Sequence, residues 1–223
     1  MSDHWHDDKQ EIAETAQLME EFGLSSSISG NVSKRLDTSD SADLFAITPS
    51  GVPYGSLTSE DVVVVDFELD VVEGTSTPSS ESLMHVGIYE SRPDVGAAVH
   101  THGVFSSVAA VTGLQIPPII DEMVVAIGGA IEVADYAPPA SEELAGNVKA
   151  ALKNRNSVIL SNHGAVSVGH DLCEALEISR LTERVAKIFV YASLLGAVRT
   201  LPDNIVAAEA AIFTMRGPGQ LSN

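Results

Sequence analysis

Apolar positions along the chain fall into two rhythms. From Lys9 to Phe22, the residues Ile12, Ala16, Leu18, Met19 and Phe22 recur at helical spacing, and Gly23 supplies the stop. Short apolar runs at Leu44–Thr48 and Val62–Asp66 predict strands, the second leading through a turn at Asp66–Asp70 into Val71-Val72. Pro78-Ser79-Ser80-Glu81 opens a helix that runs to Ser91 and ends before Pro93. Val95–Val99 is small, apolar and β-branched, the composition of a buried strand. Helices follow at Val104–Val111 and Asp121–Ile127, then a strand at Ala130–Ala134. Ser141 caps a helix to Lys153, with a glutamate nearby. Val158–Leu160 and Ala165–Val168 form a hairpin-like pair around His163, Asp171 caps a long helix to Leu195, and Asn204–Thr214 is the last helix. Helices interleaved with strands, without a linker or an internal repeat, predict one α/β domain over 8–215, with loose tails at 1–7 and 216–223. The hairpin-like pair makes the sheet mixed or antiparallel.

Composition leaves that picture in place and narrows the setting. With 223 residues and 44% hydrophobic side chains, the chain has enough material for one sizeable core. No apolar run approaches a membrane span, and Met-Ser-Asp-His-Trp-His-Asp-Asp lacks the pattern of a signal peptide, so a soluble, cytoplasmic protein is expected. His4 and His6 in that segment are expected to lie on a frayed terminus. The single cysteine, Cys173, excludes an internal disulfide or a thiolate cluster, and its helical, apolar surroundings predict a buried, inert thiol.

Charge changes the picture more. Thirty-one acidic residues against twelve basic ones give a formal net charge of −19, spread throughout the chain. That balance opposes nucleic-acid binding through phosphate neutralisation. Self-repulsion of this size destabilises a compact chain unless salt screens it, and the screening length falls to about 3 Å at 1 M. The composition therefore points to a salty cytoplasm.

The richest chemistry lies in Val95-Gly-Ala-Ala-Val-His-Thr-His-Gly103 and Ser161-Asn-His-Gly164. Side chains alternate along a strand, so His100 and His102 project from one face. His163 sits where another short apolar strand breaks. A bare His-x-His is commonly an ordinary core or surface pair. A third histidine in a matching setting brings in a three-nitrogen zinc site with an open position. Glu81 stands at a helix start, where the dipole favours its ionised form. It is either a first-turn acid serving that dipole or a carboxylate base beside a metal-polarised carbonyl. His85 follows one helical turn on, and either contacts Glu81 or packs in the core.

Three segments have the makings of an anion cradle: Ser29-Gly30-Asn31-Val32-Ser33, Thr48-Pro49-Ser50-Gly51 and Pro78-Ser79-Ser80-Glu81. Backbone amides in glycine turns and at helix N-termini bind phosphate without basic side chains. Each is also an ordinary turn or cap when taken alone. None matches a Walker A or dinucleotide pattern.

Taken together, these motifs, with Tyr54 after Gly51, stand in the order and spacing of the class II aldolase/adducin superfamily. Residues 8–200 resemble its L-fuculose-1-phosphate aldolase branch. The resemblance implies a three-layer α/β/α fold around a largely antiparallel sheet, and a fourfold homotetramer with active sites between subunits. It makes His100, His102 and His163 the ligands of one zinc ion per chain and Glu81 the acid/base residue. It assigns the substrate phosphate to Gly30, Asn31, Ser50, Gly51, Ser79 and Ser80. The reaction it implies is reversible cleavage of a ketose 1-phosphate to dihydroxyacetone phosphate and an aldehyde. Two departures stand out. A branch tyrosine that protonates the departing aldehyde falls at Glu122, preceded by Asp121, and burial near Ile119, Ile120 and Met123 is what either carboxyl needs to replace it. A second tyrosine near the C-terminus has no counterpart, since no Tyr follows Tyr191. Sister pentulose-phosphate 4-epimerases usually carry Asp at the position of Glu81, which favours the aldolase. The alternatives are such an epimerase, a methylthioribulose-phosphate dehydratase or aldolase, a decarboxylase, and an adducin-like interaction module without metal.

Overall fold

The valines and alanines of the predicted strands at 44–48, 62–66, 95–99, 158–160 and 165–168 are buried, on both faces, so these segments form a sheet sandwiched between helices. The computed structural model describes residues 5–37 and 43–216. Its strands are β1 (Asn31–Leu36), β2 (Leu44–Ile47), β3 (Val63–Asp66), β4 (Val71–Glu73), β5 (Ala97–Thr101), β6 (Glu132–Ala134), β7 (Ser157–Leu160) and β8 (Gly164–Gly169). The helices are α1 (His6–Glu21), α2 (Ser82–Ser91), α3 (Val104–Thr112), α4 (Asp121–Ile127), α5 (Glu142–Leu152), α6 (Leu172–Leu195) and α7 (Asp203–Arg216). One sheet runs in the order β4-β3-β2-β1-β5-β8-β7-β6. Every neighbouring pair is antiparallel except β6 with β7.

Strand alternation divides the core into layers. On β2 and β3, Phe45, Ile47, Val63 and Val65 face a cluster with Met84, Ile88 and Tyr89 of α2 and Leu144 and Val148 of α5. Ala46, Val62 and Val64 face the opposite cluster, with Ile12, Ala16 and Met19 of α1. Farther along that second face, Ile159 and Ala165 pack with α3, α4 and the middle of α6. The result is the expected three-layer α/β/α arrangement around a largely antiparallel sheet. Continuous apolar runs, rather than apolar–polar alternation, are what a sheet covered on both faces demands.

Several boundaries differ from the sequence reading. α1 begins at His6, with Asp7 and Asp8 in its first turn, where carboxylates favour the positive end of the helix dipole. His4 and the segment 217–223 lie outside the described residues. The anion segment at Ser29–Ser33 is only half a loop, because Asn31 starts β1, which is hydrogen-bonded to both β2 and β5. Cys173 is exposed, not buried. Leu172, Ala175 and Leu176 turn into the core, whereas Cys173, Glu177 and Arg180 share the solvent stripe of α6. Its thiol pKa is still raised, by residual burial first and then by Asp171 and the neighbouring glutamates, so the thiolate is disfavoured electrostatically. Among the described residues no helix is long and apolar enough to cross a membrane.

Candidate metal centre

Three elements meet at one end of the central strands. β5 delivers His100 as its penultimate residue and His102 just past its end, on one face as alternation requires. The β7–β8 hairpin delivers His163, through a tight turn in which His163 N donates to Leu160 O at 3.0 Å. Asn162 takes a left-handed backbone in that turn (φ 57°), a conformation asparagine tolerates. Gly164 lets the hairpin close on β5: a Cβ there would lie 2.2 Å from Thr101 O and 2.9 Å from the His102 ring. Glu81 occupies the N-cap of α2, one residue before the helix proper.

The four side chains converge. One ligand atom from each of Glu81, His100, His102 and His163 lies within 4.8 Å of the others. His102 Nε2 and His100 Nε2 are 2.9 Å apart. Glu81 reaches His100 Nε2 at 3.1 Å with Oε2 and His163 Nε2 at 3.2 Å with Oε1. His100 Nδ1 donates to Ala165 O at 2.9 Å, which leaves the Nε2 lone pair facing the centre. Burial, then His100 and His163, push His102 down to about 4, and burial lowers His163 as well. Both therefore stay neutral at ordinary pH, the form in which imidazole binds a metal. Burial alone would favour the acid form of Glu81. The neighbouring His100 first, then His163 and the Asn31 hydrogen bond, override it and hold the carboxyl below the usual carboxylate range. Glu81 Oε1 and His163 Nδ1 are buried without a hydrogen-bond partner. Three imidazoles and a carboxylate with one orphaned oxygen form a donor set that fits a divalent transition ion.

The candidate phosphate segments are laced together beside this centre. Ser79 N donates to Thr48 O at 3.2 Å, Ser50 N to Thr77 O at 2.8 Å, and Val32 N to Thr48 Oγ1 at 3.1 Å. Tyr54 anchors the first segment through its hydroxyl to Gly30 O and its amide to Ser27 O. Gly30 cannot be replaced: its φ is +78°, and a Cβ would lie 2.4 Å from His100 O. The Ser50 and Ser79 amides are thus occupied by the protein's own carbonyls, and Ser79 Oγ accepts from Glu81 N at 3.3 Å. Ser50, Gly51 and Ser80 are exposed and Ser79 is buried. The Asn31 carboxamide is bonded to Glu81 (Nδ2 to Oε2, 2.9 Å) and His85.

Asp121 and Glu122 are exposed in the first turn of α4 rather than buried among Ile119, Ile120 and Met123. Glu122 pairs with Arg184 of α6. It lines an open cavity of about 570 Å³ with Phe22, Leu24, Arg180, Glu183 and Lys187.

Two supporting residues escaped the sequence reading. Tyr89 completes the stripe Glu81–His85–Tyr89 on α2, and that four-residue spacing was the available signal. Glu183 of α6 accepts from Phe105 N at 2.7 Å and Ser106 N at 2.9 Å. It thereby caps α3 immediately after His102. No sequence signal marks it, because the contact crosses 77 positions or more.

Comparison with known proteins agrees with this geometry. Residues 10–190 match the family model "Class II Aldolase and Adducin N-terminal domain". The L-fuculose phosphate aldolase of Escherichia coli K12 is 33% identical over 209 residues, 93% of this chain and 94% of that protein. The 5-deoxy-D-ribulose 1-phosphate aldolase of Bacillus thuringiensis serovar kurstaki is 29% identical over 213 residues, covering 96% and 97%. A solved L-fuculose 1-phosphate aldolase superposes with a TM-score of 0.87 at 34% identity, over 93% of this chain and 96% of that one. Histidines at strand ends, a helix-capping glutamate and the matched sheet all lead to one assignment: the chain belongs to the class II aldolase and adducin N-terminal domain family.

Proposed function

We propose that this metal-dependent aldehyde-lyase reversibly cleaves a ketose 1-phosphate to dihydroxyacetone phosphate and an aldehyde, with a sugar like L-fuculose 1-phosphate as substrate. The observation that carries the reading is the convergence of Glu81 with three imidazoles beside loops of small polar residues. A 5-deoxyribulose 1-phosphate is the second candidate, because a relative named for it is nearly as similar over as much of the chain. Both sugars share the phosphate and ketone end.

His100, His102 and His163 would hold one divalent ion, zinc in our reading. When bound, the ion supplies Lewis-acid polarisation of the carbonyl next to the breaking bond. The chain's own residues do the rest. Gly30, Asn31, Ser50, Gly51, Ser79 and Ser80 hold the phosphate end, so that remote binding energy orients the reacting carbons. Glu81, ionised and with Oε1 unpartnered, moves the proton on the dihydroxyacetone phosphate carbon. We assign protonation of the departing aldehyde to Glu122 or Asp121, a role that requires a copy of the chain packed over α4 to bury them. A homotetramer with active sites between subunits supplies such a copy. Val104, Val108 and Val111 of α3 and Tyr191, Leu194 and Leu195 of α6 are exposed apolar residues on adjoining helices, and α3 starts directly after His102. We read the acidic composition, with a net charge of −19, as suited to a salt-rich cytoplasm.

The test incubates the metal-loaded protein with dihydroxyacetone phosphate and a panel of aldehydes, with products read by mass spectrometry. New ketose 1-phosphates support the aldolase and rank its aldehydes. Absence of a ketose 1-phosphate with every aldehyde, while the same protein epimerises, dehydrates or decarboxylates an added sugar phosphate, refutes it. Glu81→Gln is expected to keep metal and fold while losing on the order of a hundredfold in turnover.

A further inference from the structure

On the face of the sheet opposite α1, a row of buried polar side chains runs from the interior to Glu81. Asn31 and Ser33 alternate on β1, opposite His100 and Ala98 of β5, so both point toward α2. Glu81, His85 and Tyr89 are one turn apart along that helix and point back. His85 and Ser33 are fully buried, and Tyr89 is 1% exposed. The contacts form one line: Tyr89 OH to Ser33 Oγ at 2.7 Å, Ser33 Oγ to His85 Nδ1 at 2.6 Å, His85 Nε2 to Asn31 Oδ1 at 2.5 Å, and Asn31 Nδ2 to Glu81 Oε2 at 2.9 Å.

The charge at the end of the line dictates the direction of every bond. An ionised carboxylate only accepts, so Asn31 presents its NH2 to Glu81 and its carbonyl to His85. His85 Nε2 must then carry a hydrogen, and Nδ1 must accept. Ser33 accordingly donates to Nδ1 and accepts from Tyr89. Each donor is used once, in one direction, and the row terminates on one oxygen of Glu81. The other, Oε1, is left buried without a hydrogen bond, 3.2 Å from His163 Nε2.

We infer that His85 is a positioning residue for the reaction. As the Nε2–H tautomer, it turns the Asn31 amide so that Glu81 Oε2 is tied down and Oε1 alone is free to take and return the substrate proton. The inference rests on Glu81 being the acid/base group. It gives Asn31 a role beyond phosphate binding, and gives the Glu81–His85–Tyr89 stripe a reason to be polar inside an apolar layer. A polar row of this kind orients by hydrogen-bond direction, which apolar packing cannot do.

Two measurements test it. In protein labelled with 15N-histidine, the resonances lost in His85→Gln identify His85, and they should report hydrogen on Nε2 and none on Nδ1. An Nδ1–H tautomer overturns the row whatever the activity. Exchange of the dihydroxyacetone phosphate proton with heavy water is then followed by NMR. His85→Asn, too short to reach Asn31, should lower the kcat of exchange on the order of tenfold, with KM and metal content near wild type. His85→Gln, whose amide can sit near the Nε2 position, should recover most of that loss. In an Asn31→Ala background, His85→Asn should cost little more, because the two act in series. Wild-type exchange in a folded His85→Asn protein, absence of rescue by Gln, or additive losses each overturn the positioning role. A wild-type protein that exchanges no proton instead defeats the aldolase reading, and the positioning role falls with it.

Discussion

Removal of the bound metal should lower the melting temperature, and the size of the shift follows from the site. His100 Nε2 and His102 Nε2 stand 2.9 Å apart, and Glu81 Oε1 and His163 Nδ1 are buried without hydrogen bonds. An ion that binds only the folded arrangement adds about 2.7 kcal/mol at one hundred times its dissociation constant. For a chain of this length, each kcal/mol is worth roughly 2–4 °C. The loaded protein should therefore melt about 5–11 °C above the chelated one, a difference restored by adding zinc back. Differential scanning calorimetry gives the shift, and elemental analysis gives the stoichiometry, expected at about one ion per chain. His100→Ala, His102→Ala and His163→Ala each leave three donors or fewer, so their melting temperatures should respond little to zinc. Full metal content in all three variants, or a wild-type melting temperature indifferent to chelator and metal alike, would refute the site.

Three further outcomes follow from the same structure. Gly30→Ala places a Cβ 2.4 Å from His100 O on a backbone with φ +78°, whereas Gly51→Ala has the same φ and no atom within 4 Å. Both should lose roughly 1–2 kcal/mol to left-handed strain; only Gly30→Ala should also weaken metal binding, and equal effects by thermal shift and metal titration would contradict the close approach. In the metal-free protein, burial and then His100 push His85 down to about 3 from 6.5. The unfolded chain then binds the extra proton between these values, so stability should rise with pH from about 3 to 6.5, by at most about 1.4 kcal/mol per unit for this residue. A shallower slope in His85→Gln, read by urea melts, checks the assignment, and an unchanged slope removes it. Finally, the net charge of −19 predicts that the melting temperature climbs between roughly 0.1 and 2 M KCl as repulsion is screened; a flat profile would refute adaptation to salt.

The parts of this protein that were legible in its sequence share a physical cause. β2, β3, β5, β7 and β8 are short, mainly apolar runs because both of their faces are buried, and nothing local competes with that signal. His100 and His102 were legible because strand alternation puts i and i+2 on one face, and His163 because the apolar run before it stops abruptly. β1 was obscured for the opposite reason. Its positions Asn31, Ser33, Lys34 and Arg35 are polar, so it resembles a loop. Yet Asn31 and Ser33 are buried, because their partners are the equally polar His85 and Tyr89. Asp121 and Glu122 illustrate a second limit: apolar neighbours in sequence do not bury a side chain on the outer face of a helix, and Ile119, Ile120 and Met123 point elsewhere. Ligand atoms are announced by local pattern, since strand ends and helix caps place them. The groups that orient those ligands are set by pairings across 50 residues or more, as between Asn31 and Glu81, and only the folded sheet brings them into line. Polar residues at four-residue spacing on one helix, facing alternate polar residues on one strand, therefore mark buried machinery rather than a solvated surface.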